Sequence, residues 1–333
     1  MIKKLRNLFL NYNAEILIKN NKFNFLDNDV SIGSFGEKNK KKIFYIIKRS
    51  PGAGLFSNVM FVLNHLKISK KHQFIPIIDM ENFPTIYNEK NSIKKNKNSW
   101  EYYFNSLNKY KLNEVYKSKN VIFTNNKFYK HMTHDINNKS FYSLKKLIRI
   151  KKEYIQYADK FYNKYMKRKK VLGIHLRGSS YKTSANHPSP PTLNQLKIKI
   201  NYLLKKKKFE KIFLCTEDKI YFDFMKKEFG KKIIYINSYR SYKDDAFKVY
   251  PRKNHRYNLG KEILIETLIL TKCQTFLYLH TNVSAFVKFF SNKKINFLEI
   301  KNGFNTSNEY HAKWQWHIKN KLPGFIGGFS NKI

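Results

Sequence analysis

A chain of 333 residues with 42% hydrophobic and 16% aromatic side chains is long enough for two domains and apolar enough to bury a core, which excludes a disordered protein. Its formal charge of +43 admits a nucleic acid, an anionic membrane face or a polyanionic substrate as partner. Lysines run along the whole length without a single basic tail, and eight of the 66 basic residues are Arg, so compositional drift is the first explanation of the charge. The basic start, 1–10, with its short Leu8-Phe9-Leu10 patch, lacks the core and cleavage site of a signal peptide. No apolar stretch reaches the roughly 18–20 residues of a membrane span. A cytoplasmic protein is expected, held at most peripherally at the inner face of a membrane.

In chain order, 43–48 reads as a strand, 51–54 (Pro-Gly-Ala-Gly) as a turn, and 55–69 as a helix with Val59, Leu63 and Leu66 on one face. A second strand, 74–78, ends at Asp79 and completes a β-α-β unit. The polar stretch 90–98 is a loop, 100–107 a helix, 121–124 a short strand, and 143–166 a long basic amphipathic helix bridging the halves. The second half alternates more regularly. Strands are expected at 171–176, 212–216, 233–236, 275–279 and 295–300. Helices are expected at 193–204, 220–229, 259–270 and 284–290, the second of these closed by Gly230. Cys215 and Cys273 fall in or beside apolar runs and read as buried thiols. The alternation predicts an α/β protein with two Rossmann-like domains, whose parallel sheets face a cleft. The expected division is 1–165, 166–304, and a tail, 305–333, packing back on the first domain.

Ligands of such sheets bind beyond the carboxyl ends of the strands, and polar residues gather at those ends. Gly52, Gly54 and Asn58 open a helix after a strand, where glycines allow close backbone approach and amides attract anions. An ordinary tight turn satisfies the same residues, and no Gly-Lys-Ser/Thr follows to make a P-loop. His175 and Arg177 alternate onto one face at the end of an apolar strand. Arg177, followed by Gly178-Ser179-Ser180, can fork onto phosphate oxygens in a way Lys cannot, although a surface Arg ending a strand satisfies the same pattern. Thr216, Glu217 and Asp218 suit hydrogen bonds to a base or ribose, and equally an N-cap for the helix at Ile220. Thr281, Asn282 and Ser284 make an anion cradle or a second cap.

These motifs resemble those of the protein O-fucosyltransferases and the α-1,6-fucosyltransferases. The run 173–182, Gly-Ile-His-Leu-Arg-Gly-Ser-Ser-Tyr-Lys, looks like the family's His-x-Arg motif. The strand ending Thr216-Glu217-Asp218 looks like its second motif, and 281–288 like its third. The Gly-rich turn ending at Asn58 resembles the family's N-terminal turn beside the reacting centre. The likeness covers 43–80 and 171–300. It implies a GT-B fold and an inverting glycosyltransferase that needs no metal and no cofactor beyond a GDP-sugar co-substrate. It also implies that Arg177 contacts the donor β-phosphate. The loop after Arg177 lacks the carboxylate that many family members carry there.

The resemblance therefore implies transfer of a sugar, fucose favoured, from a GDP-sugar to a glycan or lipid-linked glycan acceptor in surface polysaccharide or lipopolysaccharide synthesis. Donor-side residues are Gly52, Gly54, His175, Arg177, Thr216, Glu217, Asp218, Thr281, Asn282 and Ser284. Catalytic candidates are Arg177, Asn58 as an orienting group, and Asp79 ahead of Glu81, Glu101 and His187 as base. Alternatives are a transferase using GDP-heptose, an ADP- or a UDP-sugar, a relative that binds without transferring, and a polyanion binder. No specific nucleic-acid signature is present: zinc-ligand spacing, helix-turn-helix and RNA-recognition motifs are all missing.

Overall fold

The computed structural model describes residues 30–125, 132–133, 135–137, 139–178, 180–292 and 294–330. The chain divides into two compact units, one running to Lys151 and taking in Arg252–Gly260, the other holding Lys152–Pro251 and the residues from Lys261 onward. The basic segment 1–10 and Ser179 of the phosphate-loop motif lie outside the described residues. No described helix is long and apolar enough to cross a membrane.

The first unit is built on a four-stranded sheet of order β1-β4-β2-β3, with β1 Val30–Gly33, β2 Lys38–Ile47, β3 Ile75–Ile78 and β4 Ser118–Thr124. β2 runs parallel to both β3 and β4, whereas β1 is antiparallel to β4, so this sheet is mixed rather than parallel throughout. β2 is longer than its apolar signature because its lysine-rich amino half stays exposed, and only Phe44–Ile47 is fully buried. Helix α1, Leu55–Lys71, crosses from β2 to β3 and buries Val59, Leu63 and Leu66. Pro76 is tolerated in β3 because that strand is an edge, and its carbonyl accepts from Asn108 Nδ2 at 2.7 Å.

Two expected helices are cut short by tertiary pairing. Helix α2 covers only Trp100–Tyr103, since Phe104 turns extended and bridges Ile150. After the short helix α3, Leu112–Val115, the expected helix 143–166 resolves into α4, Lys139–Lys145, and α5, Lys152–Tyr165. Between α4 and α5 the backbone is held by Asn105 N donating to Arg149 O and Lys151 N to Tyr103 O. The domain boundary accordingly falls at 151/152 rather than 165/166.

The second unit is a five-stranded, all-parallel sheet of order β7-β6-β5-β8-β9. Its strands are β5 Val171–Leu176, β6 Lys211–Thr216, β7 Ile233–Ile234, β8 Thr275–Tyr278 and β9 Asn296–Glu299. The connecting helices are α6 Leu193–Lys207, α7 Lys219–Phe229, α8 His255–Leu270, which belongs to this unit from Lys261 onward, and α9 Asn282–Phe290. Leu172, Ile174 and Leu176 of β5, Leu214 of β6 and Leu277 of β8 pack with Leu196, Ile200 and Met225 in one core. Gly173 faces α8 so closely that a Cβ would meet Cys273 Sγ at 2.9 Å and Leu270 Cδ2 at 3.0 Å.

The tail also belongs to this second unit, not to the first. Helix α10, Glu309–Lys321, is anchored by Trp316, whose Nε1 donates to Pro190 O at 2.7 Å. Asn186 N donates to Thr306 O at 3.1 Å and Asn305 Nδ2 to Ser184 O at 3.0 Å, tying the start of the tail to the loop after β5.

Candidate active site

From β5 the chain of the second unit steps outward through β6 to β7, then returns to the other side of β5 for β8 and β9. The direction of winding reverses between β5 and β8, and the carboxyl ends of two such strands diverge to leave a crevice. Arg177 follows β5 and Thr281 closely follows β8, so both expected anion-binding elements border this one position. His175, buried at the end of β5, spans it: its Nδ1 lies 3.5 Å from Thr281 Oγ1. Burial first and the Arg177 charge second push the His175 pKa down to about 3, so the ring is neutral at any working pH. Its contact with Thr281 is a side-chain contact between the two strand ends.

Arg177 is held on three sides. Its Nε lies 3.5 Å from Glu217 Oε1, its Nη2 donates to Ser180 Oγ at 3.0 Å, and its guanidinium carbon sits 5.1 Å from the Tyr181 ring centroid. Glu217 also accepts from Gly178 N at 3.0 Å. The side chains of Arg177 and Glu217 remain 33% and 30% exposed, so an incoming anion can reach them. Glu217 thus orients the guanidinium and supplies an anion that a phosphate would have to displace or share.

Thr216 and Asp218 are spent on local structure. Thr216 Oγ1 accepts from Asp218 N at 3.2 Å, and Asp218 caps α7 by accepting from Ile220 N at 2.8 Å and Tyr221 N at 3.2 Å. The other Asp218 oxygen pairs with Lys182 Nζ at 3.4 Å. A Cβ on Gly178 would land on that same carboxylate, which is why the residue after Arg177 is glycine. Thr281 and Ser284 form a capping box at α9: Ser284 N donates to Thr281 Oγ1 at 3.1 Å and Thr281 N to Ser284 Oγ at 2.9 Å. The hydroxyls complete the cap. The anion-attracting groups of α9 are therefore the amides of Asn282 and Val283, which precede the capped Ser284 amide and have no intrahelical acceptor.

A buried polar cluster lies beside the end of β6. Glu266 of α8 accepts from Cys215 Sγ at 3.2 Å and from Ser238 Oγ, with Arg240 Nη2 3.6 Å away. Burial outweighs these partners and raises the Glu266 pKa to about 7. The Cys215 thiol is pushed up by burial and then by Glu266.

The first unit repeats the logic at its own reversal, between β2 and β4, where Lys48 N donates to Thr124 Oγ1 at 3.1 Å. Gly52 adopts φ +74°, a left-handed conformation that favours glycine, and a Cβ there would press on the Asn58 side chain at 2.9 Å. Asn58 is buried, and its Oδ1 accepts from Ala53 N at 2.9 Å and from Arg49 Nε at 3.2 Å. Gly54 is the N-cap of α1, its carbonyl accepting from Ser57 N and Asn58 N. Asn58 therefore fastens the turn, and the charged group in it is Arg49. The Arg49 guanidinium carbon stacks 4.6 Å from the Phe61 ring centroid and its Nη2 reaches Ser57 Oγ at 3.5 Å. Sequence reasoning passed over Arg49, although the signal was the one that singled out Arg177: a scarce Arg just past the carboxyl end of an apolar strand.

Asp79 does not have the setting of a base. It is fully buried, Oδ1 accepts from Glu81 N at 3.1 Å and Asn82 N at 2.9 Å, and Oδ2 accepts from Asn82 Nδ2 at 2.9 Å and Tyr116 OH at 2.5 Å. Four donors make it the pin of the turn after β3. Glu81 and Glu101 instead share a cavity of about 1020 Å³ beside the β3 edge, lined also by Asn82, Asn108, Trp100 and Tyr110. Desolvation, then the nearby Asp79 charge, holds the exposed Glu81 carboxyl above its ordinary range. Glu101 accepts from Asn96 Nδ2 at 2.6 Å. His187 Nδ1 lies 2.7 Å from Ala185 O, and its ring packs T-shaped with that of Tyr181.

Among solved structures, the chain is similar to a NodZ α-1,6-fucosyltransferase co-crystallized with GDP, at 14% identity over 75% of this chain and 92% of that one, with a TM-score of 0.47. A fucosyltransferase NodZ from Bradyrhizobium gives 15% identity, 75% and 93% coverage and a TM-score of 0.44. POFUT1 in complex with GDP gives 9% identity, 78% and 99% coverage and a TM-score of 0.46. No family model and no curated protein sequence matches the chain.

Proposed function

We propose that this protein is an inverting glycosyltransferase that moves a sugar, fucose first, from a GDP-sugar to a glycan acceptor. The observation that carries the reading is the winding reversal between β5 and β8, with Arg177 following one strand and the amino end of α9 following the other. That combination of a planar guanidinium and helix N-terminal amides is suited to a diphosphate. In the reaction the anomeric carbon–phosphate oxygen bond breaks and a bond to the acceptor oxygen forms. The acceptor proton passes to a base, and charge builds on the departing diphosphate. Arg177 and the α9 amides would stabilise that charge, with Glu217 and Ser180 holding the guanidinium in place.

On the acceptor side, the cavity with Glu81 and Glu101 combines carboxylates, amides and the rings of Trp100 and Tyr110, groups that bind hydroxyls and sugar faces. Glu81, with its raised pKa, is the stronger candidate for base. A lipid-linked acceptor of a surface polysaccharide or lipopolysaccharide pathway is part of this reading.

Calorimetric titration of GDP, UDP, ADP and GDP-fucose into wild type and Arg177→Ala tests the donor. Preferential GDP binding that falls at least tenfold in the variant supports the reading, since a charge-assisted hydrogen bond is worth about 1.5–3 kcal/mol. Equal affinity for the nucleotides, or an unchanged variant, overturns it.

A further inference from the structure

Helix α10 is seated on the second unit by very little of its surface. Of its residues only Ala312 and Trp316 are buried. The opposite side carries Tyr310, Trp314 and Ile318 at i, i+4 and i+8, continued by Leu322, all exposed. Residues four apart stack along one helix face. The chain then folds back: Ile326 N and Gly328 N both donate to Pro323 O, and Phe329 N reaches Lys319 O. This closes a tight turn with Phe325 at its tip, 90% exposed, and Ile326 beside it. Tyr310, Trp314, Ile318, Leu322, Phe325 and Ile326 form an apolar ridge, whereas folded proteins ordinarily expose such side chains singly.

The ridge is set among cations. Lys313 and Lys321 are exposed on the same helix, Lys319 lies half-buried, and Glu309 is the one acid in 309–330. Trp and Tyr at the edge of an apolar surface, bordered by Lys, match the boundary between lipid headgroups and acyl chains. Charge chooses between lipid and a second copy of the chain. Two copies that each carry +43 repel, whereas an anionic leaflet attracts each lysine near it by about 1 kcal/mol.

We infer that the ridge of α10 and the Phe325 turn is an interfacial membrane-docking surface for anionic lipid. It requires nothing of the transferase reading and would stand if that reading failed.

Trp314 makes the surface directly readable. The chain has three Trp, and the other two, Trp100 and Trp316, are buried. The full chain would be floated with vesicles of phosphatidylcholine alone and of phosphatidylcholine with about 30% phosphatidylglycerol, at 150 mM salt, with Trp fluorescence followed as brominated lipid is added. The expected result is binding to the anionic vesicles, quenching that Trp314→Phe abolishes, and at least a tenfold loss of partitioning in Trp314→Ala/Phe325→Ala, since two of the largest exposed apolar side chains of the ridge are removed. The double variant should melt as the wild type does. Unchanged vesicle binding by the double variant would mean that charge alone attracts lipid, and the inference fails. It fails equally if the wild type ignores both vesicles, or if sedimentation shows a dimer that the double variant dissolves.

Discussion

Arg177 and Arg49 show how a scarce residue acquires a role from its address. Each emerges just past a buried parallel strand, where the backbone leaves the sheet and a long side chain has room to be held by its neighbours. Glu217, Ser180 and the Tyr181 ring fix the Arg177 plane, so geometry as well as charge is specified. Arg177→Lys should therefore fail to restore GDP affinity, remaining within a few fold of Arg177→Ala by calorimetry. Gly178→Ala should cost about 2–3 kcal/mol in urea unfolding, because its methyl group displaces the buried Asp218 cap and with it the Lys182 pair.

At the scale of elements, helix starts carry most of the specification. Thr281→Ala should lower stability by about 1 kcal/mol through the α9 cap. Asp218→Ala should cost more in the same measurement, because it removes the α7 cap and leaves the largely buried Lys182 without its carboxylate. Both caps lie where the sequence pattern pointed. The pattern failed at α2 and at the break between α4 and α5. Residues 100–107 and 143–166 have helical periodicity throughout. The bridge from Phe104 to Ile150 and the backbone bonds flanking it outweigh that propensity, and no local signal announces a pairing partner 46 residues away.

For the molecule as a whole, two buried groups give opposite pH slopes. His175, depressed to about 3, contributes stability that is present above its ordinary value near 6.5 and is lost as pH falls. Glu266, raised to about 7, contributes stability that is present below its ordinary value near 4.5 and is lost as pH rises. Each slope is roughly 1.4 kcal/mol per pH unit, and between pH 4.5 and 6.5 they oppose one another. Glu266→Gln should expose the His175 slope, so that its midpoint in urea rises with pH across that window while the wild type stays comparatively flat. The tail belongs to the same scale. Nothing local in 305–333 told which unit it would join; the carbonyl of Pro190, offered by the loop after β5, is what seats Trp316.

The sequence by itself determined the alternation of strands and helices in the second unit and the polar residues at its strand ends, because a fully buried parallel strand must read as an unbroken apolar run bounded by polar loops. It could name Arg177, Glu217 and Thr281 together, since each lies within three residues of the end of such a run. Only the tertiary structure decided what each does. Winding order brought the ends of β5 and β8 side by side. Packing buried Asp79 under four donors and left Glu81 and Glu101 at a cavity. Arg49 gained its place beside Asn58 through a turn whose shape is not encoded in any one residue. Side-chain roles depend on what lies opposite, and what lies opposite is fixed by pairings distant in the chain.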